Sequence, residues 1–349
     1  MLLSLHFLLS KQIPTMSFAN QKNKWITFLA FASVYVIWGS TFLAISYGLQ
    51  GFPPFLLSGL RFLIAGLILF LWRLYRKERT FSFANWKKNS ITGILILTGG
   101  TGLVAWGEQY ISSTEAAIAI ATGPFWFIVM DKKNWRSYFS NFSTIAGLVI
   151  GFAGLLLFFS DSISSATGLA NNTLRIISFG VLALSSISWV LGSLYSKHYR
   201  ASHSTFMNIA QQLLIAGFAA LIISGLKGEW ADFAPVQVPL QSWLGLIFLV
   251  LFGSVVAYLS YIWLLSEKSP VLVSTHTYIN PIVAVFVGWL FIREQISFLQ
   301  LIGLAVILSG VLLTNASHYK LNKRFKVKLR RSFKLLTFSP KTDKYQVEF

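Results

Sequence analysis

No cysteine occurs among the 349 residues. Disulfides, thiolate metal sites and a cysteine nucleophile are therefore excluded. Charge is scarce as well, at 11% of residues where an ordinary soluble domain carries roughly 25%. Catalytic and nucleotide motifs are missing too. There is no HExxH pair and no facing intramembrane aspartates, so the sequence predicts no metal site, no cofactor and no enzyme chemistry. The glycines of GGTG (99–102) have neither a strand before them nor a lysine after them, which rules out a phosphate-cradling loop and direct use of ATP by this chain.

What fills the chain is apolar: 55% of residues are hydrophobic and the mean hydropathy is +0.64. Runs approaching the ~20 residues that cross a hydrocarbon core recur along its length. Continuous stretches such as Leu244 to Ile262 lack the alternation of an outer-membrane barrel strand. The fold class that follows is an all-α polytopic membrane protein. Ten transmembrane helices are predicted, at 25–47, 54–74, 90–110, 114–131, 142–160, 174–196, 206–226, 241–264, 270–291 and 298–316. Pro53 and Pro54 open the second of these and Pro270 the ninth, where a missing N–H is harmless.

The formal net charge of +18 raises the question of nucleic acid, but the basic residues sit in alternate loops. The segments before the first helix and after the second, fourth, sixth, eighth and tenth hold 25 Lys and Arg, and the opposite loops hold three, Arg175, Lys227 and Arg293. That asymmetry orients a membrane protein and puts both termini in the cytoplasm. No nucleic-acid partner is expected; the partners are the lipid bilayer and a small-molecule substrate.

Four segments result: 1–24, a cytoplasmic amino-terminal segment; 25–160 and 174–316, two five-helix units; and 317–349, a basic cytoplasmic tail. Residues 1–15 resemble a signal h-region but lack a basic n-region and a small-residue cleavage site. In the tail, Phe325, Leu329, Phe333 and Leu336 recur at helical spacing between basic residues, as in a helix lying on an anionic leaflet.

The two units repeat each other. Shifted by 151, Trp38 falls on Trp189 and LRFLIAG (60–66) on QQLLIAG (211–217); shifted by 157, Pro124 falls on Pro281; shifted by 156, Gly147 and Gly154 fall on Gly303 and Gly310. Five helices per unit is an odd number, so the second unit enters the membrane upside down. Such inverted repeats are characteristic of secondary transporters and argue against a receptor or structural membrane protein, the competing class beside a membrane enzyme.

Three stretches carry a family resemblance: VIWGSTFLAISYGLQGFPPFLLSGLRFLIAGLILFL, WGEQYISSTEAAIAIATGPFW and SPVLVSTHTYINPIVAVFVGWLFIREQISFLQLIGLAVILSGVLL. With them the chain resembles the drug/metabolite transporter superfamily, in particular its EamA-type ten-helix exporters, over roughly residues 25–316. The resemblance implies both ends in the cytoplasm, an arginine at position 61, export of small metabolites by alternating access, and a central cavity lined chiefly by the third, fourth, eighth and ninth helices.

Candidate residues follow from polarity inside apolar spans. Pro124 and Pro281 each free the carbonyl four residues back and kink a helix. VSTHTYINP (273–281) crowds Ser274, Thr275, His276, Thr277, Tyr278 and Asn280 together, so this stretch faces a water-filled path or other helices. An imidazole titrates near physiological pH, so His276 is a candidate for carrying a coupling proton, beside the blander state of a neutral histidine hydrogen-bonded between helices. Trp106, Trp126, Tyr258 and Tyr261 are candidates for stacking on a planar or cationic solute. Glu108 and Glu115, near helix ends, are expected to be interface carboxylates in water, with a cation-attracting rim or proton site as the alternative. Arg61 costs at least ~2.5 kcal/mol in hydrocarbon, so it faces protein or water. With its repeat counterpart Gln212 it is expected to donate to a neighbouring helix as a structural lock.

Overall fold

The computed structural model describes residues 18–78, 82–140, 142–164, 169–199, 203–231, 233–268, 270–293 and 297–315. The readings of residues 1–15 and of the basic tail lie outside these. The principal helices are α1 (Phe18–Leu49), α2 (Pro54–Tyr75), α3 (Phe83–Gly107), α4 (Ser113–Met130), α5 (Phe142–Ser164), α6 (Leu169–His198), α7 (Thr205–Leu226), α8 (Leu240–Glu267), α9 (His276–Ile292) and α10 (Phe298–Asn315). Among the described residues seven helices, α1–α4 and α6–α8, are long and apolar enough to cross a membrane, and α5, α9 and α10 contribute shorter apolar stretches.

Leucine, isoleucine and phenylalanine cover the outside as well as the inside. On α2, Phe62, Ala65 and Leu69 are buried while Leu67, Ile68 and Leu71 on the other face are exposed. An apolar surface this extensive belongs in lipid rather than water. The protein is an all-α, multi-pass membrane protein.

Two helices begin or break where hydropathy alone does not predict it. α3 starts at Phe83 rather than at residue 90, because its first turns carry the buried polar residues Asn85 and Asn89: the Asn89 amide donates to Gln211 Oε1 at 2.7 Å. The ninth span is interrupted after a short turn at Pro270–Val273, where Thr275 and Thr277 hydroxyls donate to the carbonyls of Leu272 and Ser274 at 2.7 and 2.8 Å. Hydroxyls that bond their own backbone in this way compete with the helix ladder.

The prolines differ from the expectation of paired mid-helix kinks. Pro281 is inside α9. Pro124 instead opens the second half of α4, which restarts at Gly123 after the Thr122 hydroxyl bonds the Ala119 carbonyl at 2.9 Å. A missing N–H in the first turn costs nothing, so the break at Ala121–Thr122, not the ring itself, redirects α4.

The middles of α3 and α8 are π-helical, over Ile94–Gly102 and Leu249–Ala257. In α3 this segment is read by the hydroxyls of α6: Ser188 donates to Leu95 O at 2.7 Å and Ser185 to Gly100 O at 2.5 Å. π segments in the middle of helices are frequent at functional sites.

Two helix pairs pack closely through glycines. α2 and α7 run antiparallel and exchange equivalent contacts: a Cβ on Gly66 would lie 2.8 Å from Leu214 N, and one on Gly217 would lie 2.6 Å from Leu63 N. α5 and α10 behave alike, Gly154 lying against Ile307 and Gly310 against Gly151. Backbones this close are possible only for glycine, and close approach replaces the hydrophobic drive that helices lack in lipid. The helix ends are exchanged in the same manner. Glu229, just past α7, accepts from Leu56 N in the first turn of α2 at 3.0 Å. Glu78, just past α2, accepts from Ser204 N at 3.1 Å and from the Ser204 hydroxyl at 2.9 Å, at the start of α7.

Candidate functional site

A cavity with about 80 Å³ of free room occupies the middle of the bundle. α1 supplies Trp38, Thr41, Phe42 and Ile45, and α2 supplies Arg61. α3 supplies Gly100, Thr101 and Val104, α4 supplies Ile120, Gly123 and Phe127, α6 supplies Ser185, Ser186 and Trp189, and α9 supplies His276, Thr277 and Asn280. The expected contribution of α8 is replaced by α1 and α6. The reason is packing: α1 lies against α8, with Trp38 Nε1 donating to Gly253 O at 3.1 Å, so α1 stands between α8 and the cavity.

The wall is an aromatic box. Trp38 meets Trp189, Tyr261 and His276 with ring centroids 5.1, 5.0 and 5.1 Å away. These are offset and edge-on arrangements that the ring quadrupoles favour. The polar atoms of Trp38, Trp189 and Tyr261 are satisfied within the protein. Trp189 Nε1 donates to Tyr261 Oη at 2.9 Å, and Tyr261 Oη also shares a 2.7 Å bond with Ser193. Trp38 and Trp189 therefore have no polar atom left over to offer a solute.

His276 is buried, at 4% exposure. Its Nδ1 lies 3.2 Å from the Asn280 amide on the same helix, so the partner is intrahelical and not on a neighbouring helix. With the amide turned to suit its neighbours, Asn280 donates to His276 O at 2.9 Å and Tyr35 O at 3.1 Å, and its oxygen accepts from His276 Nδ1; amide orientation is assigned from the network in this way. Nε2 is buried without a hydrogen-bond partner.

Arg61 is buried too, and its Nε donates to Ser254 Oγ on α8 at 2.8 Å. The guanidinium lies 5.1 Å from the Phe62 ring centroid and is within electrostatic reach of Glu108. At the counterpart position Gln212 donates to Asn89 Oδ1 at 3.0 Å and accepts from Tyr258 Oη at 2.6 Å. Both donors thus reach across to a helix of the other five-helix unit.

Of the remaining predicted residues, Tyr261 forms the back of the box, while Tyr258 is fully enclosed in the carboxamide network. Tyr278 packs with Ile118, Ala121, Leu304 and Ile307. Trp126 stacks edge-on against Phe125 at 5.1 Å, and Trp106 against Tyr110 at 5.3 Å with the Lys227 ammonium 5.9 Å from its ring. None of these five, Tyr261 included, lines the cavity.

The two glutamates are not interface carboxylates in water: Glu108 is 7% and Glu115 6% exposed. Glu115 closes a capping box with Ser112 at the start of α4 and takes a 2.6 Å ion pair from Arg175 at the start of α6. A glutamate held by a cap and an arginine has its lone pairs filled by protein, which is why it leaves the water phase.

Trp38, Thr101, Ser185, Ser186 and Trp189 were not singled out as cavity residues from sequence. The one signal that pointed to the tryptophans is that they are repeat counterparts; nothing marked the serines, which read as ordinary small residues.

Comparisons with known proteins agree with this architecture. The sequence model of the EamA-like transporter family matches residues 24–160 and 176–316. The chain is 30% identical over 301 residues to a protein of Escherichia coli (strain K12) named "Uncharacterized inner membrane transporter YedA", covering 84% of this chain and 91% of that one. It is 26% identical over 291 residues to "Uncharacterized transporter YoaV" of Bacillus subtilis (strain 168), covering 81% and 94%. A solved structure titled "Crystal structure of protein" shares the fold at a TM-score of 0.61 and 18% identity, covering 86% of this chain and 98% of that one. The chain belongs to the EamA-like transporter family, within the drug/metabolite transporter superfamily.

Proposed function

We propose that this protein is a secondary active transporter that exports a small organic solute from the cytoplasm by alternating access, and that it is not an enzyme. All ten apolar helices then cross the membrane with both termini inside, as two inverted five-helix repeats, 25–160 and 174–316. The proton gradient or the solute's own gradient drives it.

The observation that carries this reading is the central cavity, enclosed by helices of both units where Trp38 meets its counterpart Trp189. A site at the meeting of two inverted units can be exposed to either side by rocking one unit against the other. The crossed contacts of Gly66 with Leu214 and Gly217 with Leu63 support such a relation, since each is the image of the other at the 151-residue offset. The Glu115–Arg175 ion pair ties α4 to α6 at the proposed outer end, which suits a gate on that side.

Counterflow of labelled solutes in proteoliposomes tests the reading. Saturable exchange that Thr101→Trp, a side chain placed to fill the cavity, abolishes is the expected result. Absence of saturable exchange across a broad metabolite panel, or full exchange in the Thr101→Trp protein, contradicts it.

A further inference from the structure

The cavity has a charge sign and an unfilled acceptor. Its two ionisable lining residues are Arg61 and His276, and no carboxylate lines it among the described residues. A cationic solute would therefore meet an arginine on the wall and no lining carboxylate, which argues against the cation reading of the aromatic box.

Arg61 makes one side-chain hydrogen bond among the described residues. Nε is engaged by Ser254, and a guanidinium presents five N–H donors in a fork that fits a carboxylate. One terminal nitrogen lies beside Gly253, whose carbonyl also receives the Trp38 indole N–H. Arg61 and the aromatic box are thus joined through one residue.

His276 supplies the second feature. Once Nδ1–H is given to Asn280, Nε2 is a bare acceptor, buried, without a partner and on a cavity-lining residue. A desolvated acceptor of this kind is unfavourable until a donor reaches it.

Resting on the central cavity as the solute site, we propose that the solute is a planar aromatic carboxylate with an O–H or N–H on its ring, of the hydroxyaryl- or indolyl-alkanoate class. The carboxylate binds the free edge of Arg61, the ring lies against Trp38 and Trp189, and the ring donor bonds His276 Nε2.

The test is equilibrium binding of labelled 4-hydroxyphenylacetate to the purified full chain. Phenylacetate, which lacks the ring donor, should compete about 5–10-fold more weakly. 4-Hydroxyphenylacetamide and tyramine, which lack the carboxylate, should compete about 10–100-fold more weakly. In His276→Ala the advantage of the ring hydroxyl should vanish, with phenylacetate changed by less than about 3-fold; in Arg61→Gln the acid should bind no better than the amide. Equal competition by the acid, the amide and the amine on the unaltered protein overturns the proposal, whether or not the variants fold, as does a lack of saturable probe binding. Thr101→Trp separates the two claims: loss of binding there with no preference for the acid refutes the solute class alone, whereas unchanged probe binding there refutes the cavity.

Discussion

Trp38 and Trp189 meet edge to face with their ring centroids 5.1 Å apart, and 151 positions separate them in the chain. The same offset relates Gly66 to Gly217, Leu63 to Leu214, Arg61 to Gln212 and Glu78 to Glu229. A residue that touches its own counterpart lies on the axis relating the two proposed repeats. Under the proposed mechanism, rocking of the units would leave this pair in contact while changing what surrounds it.

The crossed glycines predict where volume is forbidden. Gly66→Leu or Gly217→Leu should lower the thermal midpoint in detergent, since overpacking costs typically ~1–3 kcal/mol. Gly225→Leu is the control, because nothing lies within 4 Å of a Cβ there. Equal midpoints for Gly66→Leu and Gly225→Leu would contradict the close approach.

Glu78 gives a pH dependence outside the membrane. Burial pushes its carboxyl up, but hydrogen bonds from Ser204 and Arg73 outweigh that and leave it below the ordinary carboxylate value. A lowered folded-state pKa means stability that is complete above the ordinary value, ~4.3, and is lost as pH falls through the lowered one. Glu78→Gln should thus melt below the unaltered protein at pH 7, and the gap should close in acid; a gap independent of pH would refute the assignment.

Much of the helix map was legible because apolar length is a one-dimensional property. Which side of a span faces inward was not. A membrane helix is apolar all round, so Ser185 and Ser186 carry no periodic signal, and Trp106 and Trp126 look no different in sequence from Trp38. Polar residues were the better guide: His276 and Asn280, expected at the cavity, line it, and so does Arg61, which the sequence placed as a structural lock. The π-helical middles of α3 and α8, and the burial of Glu108 and Glu115, depend on partners distant in the chain and were not readable.

The ion pair between Glu115 and Arg175 should behave as a unit. Arg175→Ala leaves a buried carboxylate with the Ser112 amide as its remaining partner, costing about 1.5–3 kcal/mol. Transport should fall roughly 10-fold and be largely restored by combining Glu115→Arg with Arg175→Glu. Undiminished transport in Arg175→Ala would remove the pair from the mechanism.

The lack of cysteine makes orientation directly measurable. Gln109→Cys and Val236→Cys, both at exposed positions, should react with a membrane-impermeant thiol reagent added outside whole cells. Lys133→Cys and Tyr199→Cys should react only after the membrane is opened. The reverse pattern would invert the proposed topology.

The central claim is that one cavity opens to both sides in turn. Thr101→Cys, on the cavity wall and in an otherwise cysteine-free chain, should be labelled by an impermeant thiol reagent from either face, in right-side-out and in inside-out vesicles. Cross-linking through Glu115→Cys and Arg175→Cys should abolish labelling from the outer face alone. Labelling confined to one face without the cross-link, or left unchanged by it, would contradict alternating access.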